Sequence, residues 1–284
     1  MMVPWRDRRG RFLPFKAAVL AAVCVPGLLT AFWWSQNELG ARPVTEAIHE
    51  IGLWAIRFVM IALAITPLRA ALDWGKLLLL RRMLGLTALT YAVAHFSLYI
   101  VQQNGNMAMV VSEIVHRFYL TIGFAVLLGL IALGVTSTDG AVRRMGRWWK
   151  RLHRLAYPLA ALALLHYFIQ SKANVSEPVF VAGLYVWLML WRALPVRWQR
   201  AVGVYPVLAL ASSASAAGIE FAWYAINTHI NPWRVLEANE TLRFGLRPAH
   251  YVGLVTLGLG VVILARRISP TLRRGRRPVV ARAG

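Results

Sequence analysis

The amino-acid sequence predicts an all-α fold, a polytopic transmembrane helix bundle, and three observations carry that expectation. The 284-residue chain is 58% hydrophobic and only 15% charged, where an ordinary soluble domain carries about a quarter charged residues. Its apolar residues fall in blocks of roughly 18 to 22, the length that crosses about 30 Å of hydrocarbon. These blocks are apolar all round, whereas a soluble core helix shows one apolar stripe.

Eight spans follow in order, at about 15–34, 48–65, 82–101, 119–136, 154–170, 177–194, 203–225 and 249–266. The first follows a basic stretch, Arg6 to Lys16, and so mimics a signal peptide. It is longer than a typical signal core and no small-residue cleavage site follows, which makes it an uncleaved span. The sixth is closed by Pro195 and three basic residues, a weak boundary at Leu194–Arg200. The seventh is the most diluted, by Ser212, Ser213, Ser215 and Glu220. The chain thus divides into 1–47 (basic N-terminus and first span), a core at 48–194, and a C-terminal extension at 195–284 with two further spans. No internal repeat or long linker is evident.

A net charge of +21 raises the question of nucleic acid, and the distribution answers it. With the N-terminus in the cytoplasm, 25 of the 32 Lys and Arg residues fall in inside segments and 6 outside. That asymmetry fixes orientation in a membrane; it implies lipid, not nucleic acid, as the partner. An even number of spans returns the Arg-rich C-terminus to the cytoplasm. The lone Cys24 forms no internal disulfide or Cys-based metal site and reads as a small buried hydrophobe.

Ionisable residues at bilayer depth are costly and point to function. His95 lies in YAVAHFSLY, and His153 and His166 lie in KRLHRLAYPLAALALLHYF. At 1.5 Å of rise per residue, His95 and His166 both lie about 20 Å from the cytoplasmic end of their spans. Two imidazoles at matched depth on different helices suit the axial positions of a haem iron. Zinc would need further carboxylate or thiolate ligands, and none is near in sequence. His153, about 20 Å below, serves either a second redox centre or the lipid headgroups. His49, His116, His229 and His250 fall at outer ends and read either as interfacial or, for a subset, as facing a periplasmic partner or a quinone. Arg57, within the second span, either meets a haem propionate or snorkels outward. Trp148 and Trp149 read as interfacial aromatics.

The segments ITPLRAAL (65–72), LLRRMLGLTALTYAVAHFSLYI (79–100) and LTIGFAVLLGLIALGVTSTDGAVRRMGRWWKRLHRLAYPLAALALLHYF (120–168), with the Glu177–Pro178 pair, resemble the MsrQ (YedZ) family. That family lies within the ferric-reductase-like transmembrane superfamily. The resemblance implies that 48–194 is a haem-binding core, a six-helix ferric-reductase-like unit once the first span is counted. It implies b-type haem, one or two, on His95, His153 and His166, and an association with FMN. It implies electrons drawn from the quinone pool and passed across the bacterial inner membrane to a periplasmic molybdopterin-containing, MsrP-like subunit that reduces oxidised methionines. On that expectation the chain is an electron-transfer subunit and does not act on the substrate by itself. No soluble flavin or nicotinamide domain and no G-x-G-x-x-G motif is present. In ferric-reductase relatives a second histidine lies lower on the third span; Arg81 and Arg82 stand there instead. The competing readings are a stand-alone transmembrane ferric or oxygen reductase and a haem-free transporter. The latter is disfavoured because the spans hold no paired carboxylates for a proton path.

Overall fold

A computed structural model describes residues 11–172, 174–243 and 245–268. The N-terminus before Arg11 and the Arg-rich tail beyond Ile268, both assigned to the cytoplasm by their charge, lie outside the described residues. The all-α expectation is met: no strand occurs among the described residues. The helices are α1 (Pro14–Ser35), α2 (Pro43–Leu72), α3 (Arg81–Gln102), α4 (Met107–His116), α5 (Phe118–Val135), α6 (Asp139–Met145), α7 (Arg147–His153), α8 (Ala156–Ser171), α9 (Ser176–Ala193), α10 (Val196–Gln199), α11 (Val204–Asn227), α12 (Pro232–Glu240) and α13 (Pro248–Ile268).

Seven segments are long and apolar enough to cross a membrane: α1, α2, Gly75–Gln102, α5, Arg147–Ser171, α11 and α13. The expected sixth span is not among these seven: a helix forms there, α9, but Glu177 and Arg192 close its 18 residues at either end, leaving a shorter apolar stretch. Three spans are longer than expected. α2 runs through Pro67 to Leu72, α3 is led in by a 3₁₀ turn at Gly75–Leu80, and α8 is led in by α7, so that this segment begins at Arg147. Large apolar side chains on the helix exteriors stay uncovered, among them Leu28, Phe32, Val207, Leu210 and Val261. Exposed apolar surface of this extent marks a lipid-facing protein. Cys24 is exposed on α1, so its expected burial is not met.

The described residues form two compact units, those within 11–65 and 76–174, and those within 66–75 and 175–268. In the first, α5 packs on α8, α3 and α4. α1 is joined to α3 by an inserted side chain. The Tyr91 hydroxyl donates to the Val23 carbonyl at 2.8 Å and accepts the Gly27 N–H at 2.9 Å. Those two backbone groups are the donor and acceptor that a regular helix pairs with each other, so the hydroxyl reaches into the backbone ladder of α1 beside Pro26. Short helices follow capping residues: the Asn106 side chain accepts from the Met109 N–H at α4, and Thr138 from the Ala141 N–H at α6. Arg82 at the start of α3 pairs with Asp139 at 2.6 Å.

In the second unit α11 packs on α13, α9 and α12. Gly183 on α9 has no side chain to keep Val252 of α13 and Ala216 of α11 away, the small-residue contact by which membrane helices approach closely. Glu220 on α11 is fully buried and accepts 2.7 Å from Asn239 Nδ2. Its other oxygen pairs with Arg247.

Candidate functional site

His95 on α3 and His166 on α8 are brought together in the first unit, with ring centroids 6.4 Å apart and planes at 87°. Each ring is half-buried and held by a backbone carbonyl of another helix. His95 Nδ1–H donates to Ile48 O of α2 at 2.8 Å, and His166 Nδ1–H donates to Tyr119 O of α5 at 2.8 Å. A carbonyl oxygen only accepts, so the proton sits on Nδ1 and Nε2 keeps its lone pair. A histidine that binds a metal through Nε2 needs this tautomer, and its other ring nitrogen is commonly tied to a carbonyl or carboxylate.

The pair fits an iron porphyrin. Metal–imidazole bonds of about 2 Å on either side of one ion put the ring centres about 6–6.5 Å apart, which matches the observed 6.4 Å. No group of three or more His, Cys, Asp or Glu side chains able to hold a bare metal ion occurs among the described residues. Two imidazoles are the protein ligands that a bis-histidine haem iron takes, the remaining four coming from the macrocycle. Two glycines line the pair: a Cβ at Gly52 would stand 2.6 Å from His95 Nδ1, and one at Gly123 would stand 2.8 Å from His166 Cε1.

The other expected site residues lie elsewhere. His153 is the last residue of α7, about 20 Å along the chain axis from His166. Its Nδ1–H donates to Trp149 O at 3.1 Å, and its ring stacks on Trp149 at 3.9 Å. Trp149 Nε1–H in turn donates to Thr136 O at 2.9 Å. Trp149 is therefore more than an interfacial aromatic, whereas Trp148 is exposed beneath the Arg151 guanidinium. Arg57 lies on α2 about 7.5 Å along the axis from Gly52, its guanidinium 4.8 Å over the Trp54 ring. Of the outer histidines, His116 bonds Ser112 O on its own helix, His250 Nδ1 accepts the Arg247 N–H, and His49 and His229 are exposed.

The residues missed from sequence are those acting through their backbone: Ile48, Gly52, Tyr119 and Gly123. One signal was available. Gly52 precedes His95 by the same 43 residues that separate Gly123 from His166, a local correspondence inside a chain otherwise without evident repeats.

The sequence also matches known proteins. The family described as "Ferric reductase like transmembrane component" matches residues 51–164. The chain is 44% identical over 192 residues to the protein-methionine-sulfoxide reductase heme-binding subunit MsrQ of Xanthomonas campestris pv. campestris (strain 8004), covering 65% of this chain and 86% of that one. It is 39% identical over 207 residues to the subunit of the same description from Rhodospirillum rubrum, covering 71% and 95%. No solved structure matches.

Proposed function

Since the chain belongs to the MsrQ family of ferric-reductase-like transmembrane proteins, we propose that it is the haem-binding membrane subunit of a protein-methionine-sulfoxide reductase. His95 and His166 are the residues that would hold the haem iron. The observation that carries this reading is their 6.4 Å centroid separation with both Nδ1–H groups tied to carbonyls. Haem b, when bound, supplies reversible one-electron chemistry. The protein's part would be to offer two unprotonated Nε2 atoms on facing helices, to keep the site among apolar residues, and to set the local charge. Arg57 is the cation proposed to meet a propionate, reached by leaving the Trp54 face. A second haem at His153 would have a single imidazole, because the matching positions on α3 are Arg81 and Arg82, and Arg82 is paired with Asp139.

The finer reading counts α9 as an eighth crossing and so places the chain in the bacterial inner membrane with both termini cytoplasmic. It takes electrons from the quinone pool and passes them to a periplasmic molybdopterin-containing, MsrP-like subunit. The 25-to-6 charge split supports the orientation, and the family supports the partner, the donor and an association with FMN. The test is reconstitution in vesicles with a quinol and an MsrP-like subunit outside. Reduction of methionine sulfoxide that requires both proteins is expected. Quinol-dependent reduction of ferric chelates or oxygen, with no transfer to the partner, would establish the stand-alone reductase instead.

A further inference from the structure

The His95–His166 pair is built from one device used twice. On α2, Ile48 offers its carbonyl and Gly52, one turn on, removes the side chain that would block the imidazole. On α5, Tyr119 and Gly123 do the same. Each carbonyl lies 47 residues before its histidine, and each glycine 43 before it. Carbonyl, glycine and histidine of the second copy all lie 71 residues after those of the first. The local sequences agree as well: Ile51–Gly52 with Ile122–Gly123, and A-x-x-H-aromatic at 92–96 with the same pattern at 163–167.

The space at these glycines is specific to the rings. A Cβ at Gly52 would stand 2.6 Å from His95 Nδ1 and 2.8 Å from Cε1; at Gly123 it would stand 2.8 Å from His166 Cε1 and 3.0 Å from Nδ1. Real carbon contacts are not this short, and a ring anchored through Nδ1 has no flexible end with which to yield. Gly129 and Gly134, also on α5, provide the contrast. A Cβ there would be closer still, 2.4 Å and 2.3 Å, but to the terminal methyl groups of Leu159 and Leu89. Those side chains can rotate away.

We infer that Gly52 and Gly123 are positioning residues for the histidine pair, and that the carbonyl-plus-glycine turn on α2 and α5 sets both the tautomer and the reach of each axial nitrogen. The inference rests on the haem reading above. With an added methyl group His95 leaves the Ile48 carbonyl, loses the bond that holds Nε2 unprotonated, and moves away from His166. Supporting partners of metal-bound histidines are typically worth 10- to 100-fold in affinity.

The experiment compares detergent-purified wild type with Gly52→Ala, Gly123→Ala, Gly129→Ala and Gly134→Ala. The readouts are haem content, absorbance and electron paramagnetic resonance. The expected result is six-coordinate low-spin haem in wild type, Gly129→Ala and Gly134→Ala. Gly52→Ala and Gly123→Ala are expected to show about 10- to 100-fold weaker haem retention or conversion to high-spin haem. Low-spin haem retained at the wild-type level in both Gly52→Ala and Gly123→Ala would overturn the positioning role and leave the haem reading intact. A haem-free wild type would overturn both. Thermal unfolding covers variants that accumulate poorly: any loss caused by Gly52→Ala is expected to vanish when His95→Ala is added, because the clash is with that ring. A loss that persists without the ring would assign Gly52 to helix packing and refute the inference.

Discussion

Replacing Arg247 by Met tests how the second unit tolerates a carboxylate inside an apolar helix. Glu220 has no exposed surface, and its partners are Arg247, whose side chain is 27% exposed, and Asn239. Removing the guanidinium leaves the carboxylate with one amide donor in a segment apolar enough to span a membrane. Breaking one side of a buried ion pair costs about 3–5 kcal/mol. Asn239 Nδ2 is shared with Val235 O, so it offsets little of that. Glu220→Leu alone should cost less, about 1–3 kcal/mol, because the partly exposed Arg247 can turn to water. The double variant Glu220→Leu/Arg247→Met should recover most of the loss, since a buried pair and an apolar pair of similar volume are often close in stability. The assay is reversible unfolding of the detergent-solubilised protein, followed by circular dichroism for all four members of the cycle. A wild-type-like Arg247→Met, or a double variant as unstable as the sum of the singles, would refute the idea that these groups act as one buried cluster.

Other perturbations address the first unit. Tyr91→Phe removes a hydroxyl that bridges Gly27 N–H and Val23 O; because α1 can close its own ladder afterwards, the expected cost is about 1 kcal/mol, read as a lower unfolding midpoint with haem content unchanged. Arg57→Leu should lower the haem midpoint potential by on the order of 1 kcal/mol per electron, measured by redox titration; an unaltered potential would separate Arg57 from the propionates. His153→Phe keeps a ring against Trp149 and should leave the His95–His166 haem spectrum intact, while any second haem disappears from the haem-to-protein ratio.

The spans were legible because a continuous apolar run of membrane length seldom occurs outside a membrane, and α1, α5, α11 and α13 follow their expected limits closely. His95 and His166 stood out because an ionisable side chain is rare in such helices. The limits were set by effects that one helix does not display alone. Pro67 does not stop α2, and a span ending at 65 therefore falls short. The capped short helices α4 and α6 depend on single side-chain bonds from Asn106 and Thr138. Glu220 read as a diluting polar residue, since its partners Asn239 and Arg247 lie 19 and 27 residues away. Gly52 and Gly123 offer only their shared 43-residue offset from His95 and His166, a faint signal because glycines are frequent in membrane helices and the rings they admit belong to other helices.

Haem ligation by His95 and His166 is tested most directly by absorbance and electron paramagnetic resonance of the purified protein, oxidised and dithionite-reduced, beside His95→Ala and His166→Ala. Low-spin b-type haem is expected in the wild type, with loss of that species in each variant. A helical, intact wild-type protein without haem, or a low-spin spectrum that survives both substitutions, would contradict the assignment of these two histidines as the axial pair.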